Sequence, residues 1–450
     1  MKHDIRVMDA RIEFEDHAYR TPLKFGGVIT DKVTLLNVWV RVRARSGREM
    51  EGFGSMPLGN VWSFPTQKHT YDETLAAMKA LAERIRVLLL DFDGFAHPIE
   101  IAGELEPLYR SALPGVQQAC ALQEPIPVLC MLVVASPFDA ALHDAYGKLW
   151  GKNAFQTCGP EYMNHTLDYH LNDDFRGEYL DRYILKQPKP RMPLYHLVGA
   201  VDPLTEEDIP RRLNDGLPET LAEWIRADGL THLKIKLNGD NLEWDVERVV
   251  KVDRIAEPVQ HSRGVAEWCY SLDFNERCQS VDYLLEFLMK VNERAPRALE
   301  RVQYIEQPTA RDLQAHPENK MHKAAKIKPV VIDESLTDFE SLQLAREQGY
   351  TGVALKACKG QSQALLMGAA AQKYNLFLCV QDLTCPGASF LHSAALAAHI
   401  PTVAAIEGNS RQYCPSANAS WKDRFPGIFY LTDGTIETAC LDGPGLGIVP

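Results

Sequence analysis

Residues 232–241 read HLKIKLNGDN, and the alternation in their first six positions decides how the rest of the chain is read. On a strand, successive side chains point to opposite faces. Leu233, Ile235 and Leu237 then share one face, and Lys234 and Lys236 share the other. Two neighbouring ammonium groups sit comfortably in water. Inside a cavity they need several carboxylates nearby.

The segments on either side supply them. From Pro193 onward, short apolar runs alternate with helical stretches: PLYHLVGAVD (193–202), THLKIKL (231–237), WCYSLDFN (268–275), RVQYIEQP (301–308), KPVVIDES (328–335), GVALKAC (352–358), LFLCVQD (376–382) and TVAAIEGN (402–409). Eight strands separated by helices predict an α/β fold, a (β/α)8 TIM-type barrel, with its chemistry at the carboxyl ends of the strands. Those ends carry Asp273 and Asn275, then Glu306 and Gln307, then Asp333 and Glu334, then Lys356 and Lys359. Taken singly, each acid reads as a solvated turn residue. Together they place one acid on each of three successive strands, flanked on both sides by lysine-bearing strands. Three convergent carboxylates need a cation, and an all-oxygen set favours Mg2+, or Mn2+, over zinc. Lys234 beside Lys236 should depress the amine pKa, so that a lysine could act as a base near neutral pH. Strand alternation allows only one of Lys356 and Lys359 to line the cavity. Lys356, which ends the apolar run, is the better candidate.

The first 150 residues have a different texture. RVMDARIEFE (6–15) and VTLLNVWVRVRA (33–44) read as strands, with TPLKFGGVITD (21–31) as the turn between them. EGFGSMPLGNVWSFP (51–65) reads as a long functional loop with exposed aromatics. Helices are predicted over 70–92, and over SPFDAALHDAYGKLWG (136–151) with Ser136 as cap and Pro137 in the first turn. The expected organisation is an α+β domain over 1–150, a linker or insertion over 151–192, the barrel over 193–415 and a closing segment over 416–450.

The 450 residues carry a formal net charge of −12. That balance disfavours nucleic acid and anionic membrane as partners. Ten cysteines without a CxxC pair, and an opening stretch without an apolar core segment, predict a reduced cytoplasmic protein.

With these motifs in order, the chain resembles the enolase superfamily, in particular its mandelate racemase and muconate-lactonising branch and the two-lysine subgroup within it. The resemblance implies that residues 1–150 cap the barrel and that 416–450 return to that cap. It implies Asp273, Glu306 and Asp333 as Mg2+ ligands, Lys236 as acid/base with Lys234 as its neighbour, and Lys356 as the sixth-strand lysine. Where the subgroup has Gly-Gly after that lysine, this chain has KGQS, which keeps Lys359 in contention. Asn275, Glu334, Asp382 and Glu407, with Lys24, Phe25, Gly26 and Trp62 of the capping loops, are implied as supporting or substrate-binding groups. The implied chemistry is proton abstraction alpha to the carboxylate of a small molecule through a metal-stabilised enediolate, in a homo-oligomer. Racemisation or epimerisation, cycloisomerisation and β-elimination of water from a sugar acid all remain open. A catalytically idle barrel that binds a small acid is the alternative of another class.

Overall fold

The computed structural model describes residues 1–25 and 27–448; Gly26 of the predicted capping loops lies outside them. The barrel is built from β4 (Arg191–Val198), β5 (His232–Lys236), β6 (Cys269–Asp273), β7 (Val302–Glu306), β8 (Val330–Ile332), β9 (Gly352–Leu355), β10 (Phe377–Val380) and β11 (Val403–Glu407). Each pairs in parallel with the next, and β11 closes on β4 through Ile406↔Leu194 and Glu407↔Tyr195. A further strand, β12 (Thr435–Glu437), lies antiparallel along the start of β4. Helices Leu221–Asp228, Leu242–Ser262, Val281–Arg294, Phe339–Glu347, Gln361–Lys373 and Ala388–His399 alternate with the strands. The connection from β7 to β8 holds only a short 3-10 turn, Ala324–Lys326, among the described residues.

Alternation organises the barrel interior. Tyr195, Tyr304, Val331, Ala354, Cys379 and Ala405, from six strands, pack into one buried cluster with Cys269 of β6 against it. This apolar layer is a floor. Two residues further along each strand, side chains on the same inner face stand above it.

The amino-terminal part is a three-stranded antiparallel sheet, β1 (Ile5–Phe25), β2 (Val28–Ala44) and β3 (Glu49–Pro57), covered by α1 (Tyr71–Leu90), α2 (Pro98–Ala119) and α3 (Val128–Trp150). Three sequence expectations change here. Most of the predicted turn 21–31 is strand, because β1 and β2 form one long hairpin with a register slip between Ala18 and Leu23. EGFGSMP is strand rather than loop, and its glycines serve packing: a Cβ on Gly52 or Gly54 would lie on the backbone of Ala141 or Pro137 in α3. The aromatics that follow are buried, Trp62 at 4% and Phe64 at 2% exposure.

The third helix also starts earlier than predicted, at Val128 rather than at Ser136. Pro137 sits inside it and has no N–H for the carbonyl of Val133. The Ser136 hydroxyl donates to that carbonyl instead, at 2.8 Å. By length and composition α3 could cross a membrane, yet 89% of its most apolar window is buried inside the protein.

Residues 152–190 are a chain of short helical turns that packs on the barrel, with Phe155 stacked on His399 at 4.0 Å. At the far end, Leu446 N donates to Asp144 Oδ1 of α3 at 3.0 Å.

Gly54→Ala should lower stability by about 2 kcal/mol or more through overpacking against α3; an unchanged melting temperature would contradict the close approach. Burial holds His399 down to about 4, against a smaller opposing effect of its bond to the Ala395 carbonyl. The unfolded chain therefore binds its proton first. Stability should be flat above the ordinary histidine range near 6.5 and fall as pH drops from there toward 4. This one group accounts for roughly 3 kcal/mol, and His399→Phe should flatten that part of the acid-melting profile.

Candidate active site

The inner-face residues above the floor form one network. Two positions beyond Tyr304, Val331, Ala354, Cys379 and Ala405 come Glu306, Asp333, Lys356, Gln381 and Glu407, all 4% exposed or less. Two and four positions beyond Cys269 come Ser271 and Asp273, and β5 contributes Lys234 and Lys236. Backbone register places Lys236 opposite Asp273, and Asp273 opposite Glu306.

Lys234 is the hub. Its Nζ donates to Glu306 Oε1 and Glu407 Oε2 at 2.9 Å and to Gln381 Oε1 at 3.2 Å, with Asp273 Oδ2 at 3.1 Å. Lys236 Nζ donates to Asp273 Oδ2, and to Asn275 Oδ1 at 3.0 Å. Asn275 passes the connection on through Nδ2 to Glu334 Oε1 at 3.2 Å, which also accepts from Trp62 Nε1 at 3.0 Å. Lys356 Nζ lies 3.0 Å from Asp333 Oδ2 and 4.3 Å from the centre of the Trp62 ring.

The expectation of a depressed amine pKa in the Lys234 and Lys236 pair is corrected for Lys234. Burial works in that direction for Lys234, but Glu306, Glu407 and Asp273 outweigh it and keep the amine strongly protonated. Asp333 does the same for Lys356. A neighbouring ammonium matters less than the carboxylates drawn in around it.

Lys359 also enters the site, against the expectation that only one of the two lysines could. Strand β9 stops at Leu355, and 357–359 form a 3-10 turn, so alternation no longer applies. Lys359 Nζ bonds Asp333 O, Asp333 Oδ1 and Leu336 O. Those three acceptors match its three hydrogens and leave none for chemistry. Lys356, held by one carboxylate oxygen, a carbonyl at 3.4 Å and an aromatic face, remains the reactive candidate.

Glu407 is a member of the network rather than a solvated turn residue. Asp382 stands beside it. Its carboxylate accepts from Thr384 N, Cys385 N and Asn409 N, which fixes the loops after β10 and β11. The residue missed in the sequence is Gln381, whose Nε2 donates to Glu306 Oε2 and, at 3.0 Å, to Tyr304 OH. Alternation from Cys379 points to it. Of the capping residues, Phe25 lies 5.8 Å from Lys236 Nζ, and Lys24 bonds Asn238 Oδ1 at 2.8 Å outside the network.

Six carboxyl groups (Asp273, Glu306, Asp333, Glu334, Asp382 and Glu407) face four lysines, a formal excess of two negative charges. The excess has visible effects. Burial and then Asp273 push Glu306 well above the carboxylate range. Burial and then Asp333 push Glu334 up to about 7, and burial and then Glu407 do the same for Asp382. In contrast, Lys356 and Lys359 overcome burial and hold Asp333 down to about 2. The deficit and the all-oxygen donors of Asp273, Glu306 and Asp333 fit a hard divalent cation. In the present side-chain arrangement lysine nitrogens fill the space between those donors, and no three His, Cys, Asp or Glu groups among the described residues close round one point.

Residues 217–450 match the family model described as Enolase C-terminal domain-like. No curated protein sequence matches the chain. Among solved structures, a dipeptide epimerase from Cytophaga hutchinsonii, complexed with Mg and the dipeptide D-Ala-L-Val, is 17% identical with a TM-score of 0.63, over 98% of this chain and 95% of that one. A muconate lactonizing enzyme from Pseudomonas fluorescens, complexed with muconolactone, is 16% identical with a TM-score of 0.60, over 99% and 96%. An enolase from Bradyrhizobium, complexed with magnesium and mandelic acid, is 16% identical with a TM-score of 0.63, over 100% and 97%. At these identities the likeness is one of fold.

If Lys234 is the internal counter-charge of the network, Lys234→Met should lower unfolding free energy by about 3–5 kcal/mol near neutral pH. A denaturation midpoint equal to that of the unaltered protein would remove it from that position.

Proposed function

The chain belongs to the Enolase C-terminal domain-like family, and from that premise we propose that it is an enzyme that removes the proton alpha to the carboxylate of a small-molecule substrate. Within the family we assign it to the two-lysine type, which racemises, epimerises or cycloisomerises. One observation carries the reading. Lys236 ends β5 and Lys356 follows β9, four strands apart in a ring of eight, and the acid-bearing strands β6, β7 and β8 lie between them. Two lysines across a barrel mouth can reach opposite faces of one carbon.

In this reading Asp273, Glu306 and Asp333 hold Mg2+, or Mn2+, which when bound supplies positive charge to the substrate carboxylate. Lys236 takes the proton on one face and Lys356 returns one on the other. Lys234, tied to Glu306 and Glu407, stays charged and adds a fixed positive field beside the developing negative charge. Asn275 orients Lys236 through its Oδ1. Trp62 covers Lys356 and excludes water from it. Outside this centre, a cavity of about 500 Å³ is lined by Phe25, Trp62, Tyr71, Asn275, Arg311 and Glu334 among others, and we assign it to the distal part of the substrate. Dehydration with Asp382 as proton donor is the weaker reading, because three backbone N–H groups already engage that carboxylate.

The test is incorporation of deuterium from heavy water, with Mg2+, across amino-acid derivatives, dipeptides and sugar acids, read by mass spectrometry. The expected outcome is one deuterium at the alpha carbon, with exchange reduced at least ~100-fold in Lys236→Ala and, for an inverting substrate, inversion rather than exchange reduced as much in Lys356→Ala. Exchange at the unaltered rate in Lys236→Ala would end its assignment as the base. Calorimetry should show Mg2+ binding weakened in Asp273→Asn and Glu306→Gln, and equal affinity in both would remove the metal site.

A further inference from the structure

The motif SPFDAALHDAYGKLWG has no part in the chemistry described so far, yet it reaches the barrel at one sensitive place. Lys356 and Lys359 ride on a turn after β9. The chain then passes Gly360 and enters the helix Gln361–Lys373, here α4. Gly360 is the N-cap residue of α4 and has no side chain with which to cap it.

The missing cap comes from α3. Asp139 Oδ2 accepts from Ser362 N at 2.7 Å, and Asp139 Oδ1 accepts from Ser362 Oγ at 2.7 Å. His143, one turn further along α3, bonds the same Oγ through Nε2 at 2.9 Å. Ser362 Oγ has one hydrogen, and an ionised carboxylate can only accept. That hydrogen therefore goes to Asp139, and His143 must donate from Nε2. Burial favours the neutral ring, here the tautomer with its hydrogen on Nε2. Gly360 is the residue that permits the approach: its φ is +113°, and a Cβ there would stand 3.2 Å from Asp139 Oδ2. Asp139, His143 and Ser362 are 9%, 2% and 4% exposed, so these bonds lie largely out of bulk water.

We propose that Asp139 and His143 are positioning residues for Lys356, acting from the amino-terminal layer through Ser362 in the first turn of α4, which follows the turn next to the lysine. The reading of Lys356 as a proton-transfer group gives this its significance, but its test needs no turnover. Three neutral or charge-assisted bonds hold the first turn of α4, and with it the distance from Gly360 back to Lys356. Lys359, saturated by Asp333 and Leu336, holds the 3-10 turn between Lys356 and Gly360.

The experiment is acylation of the intact, folded protein with an amine-reactive acetyl ester, with the rates at Lys356 and Lys236 separated by tandem mass spectrometry. Loosening of the turn in Asp139→Ala and in Ser362→Ala should raise the Lys356 rate relative to Lys236 by at least ~5-fold. Ser362→Thr, which keeps the hydroxyl, should return the ratio to its unaltered value. Should Asp139→Ala not fold, Ser362→Ala still carries the test, because it retains the backbone bond to Asp139. A ratio unchanged in the folded variants, or a threonine variant no better than alanine, overturns the proposal. If deuterium exchange fails in every substrate while the ratio still rises, the reaction is wrong and the positioning stands. If a substrate is found, Asp139→Ala should lower kcat with little change in KM.

Discussion

The charge balance at one end of the barrel governs the rest of the site. Six buried carboxyl groups and four buried lysines share one space. An unpaired charge there would cost several kcal/mol. Charged inward side chains are fixed by their neighbours: Lys234 by three carboxylates, Asp333 by two lysines, Glu306 by Lys234 and Gln381. The formal deficit of two positive charges is left over, and burial together with the neighbouring carboxylates raises the pKa values of Glu306, Glu334 and Asp382.

The barrel was legible because strands repeat every two residues and the motif-bearing ends follow at regular intervals. The same rule locates Glu306, Asp333, Lys356 and Glu407 by counting two from the floor residues. It fails where the strand ends. Lys359 sits in a 3-10 turn, so its direction cannot be counted. Gln381 was passed over for the acid beside it, although the count from Cys379 favours the glutamine. Composition draws the eye to charge, and an amide that links a lysine to a glutamate gives no such signal.

The amino-terminal layer was harder to read for a different reason. Glycine in EGFGSMP suggests a loop when sequence alone is considered. Its purpose appears only when α3 is laid across β3, because the missing side chains make room for the backbone of that helix. Likewise, Ser136 before Pro137 has the form of a helix start. Inside a helix the pair has another use, with the hydroxyl satisfying the carbonyl that proline leaves open. Trp62 shows the same dependence on context. In sequence it is an aromatic in a polar loop; in the fold its ring covers Lys356 and its nitrogen engages Glu334.

The closing segment carries a consequence for how the molecule is made. Asp144 of α3 accepts hydrogen bonds from Phe53 of β3 and from Leu446, which lies 302 residues further along the chain than Asp144. Gly445 donates to Lys152 O, just after α3. During synthesis the first sheet and its helices emerge long before this partner exists. Bringing together ends so far apart costs loop entropy that only the completed barrel can offset. Until Leu446 is in place, one carboxylate oxygen of Asp144 lacks that partner.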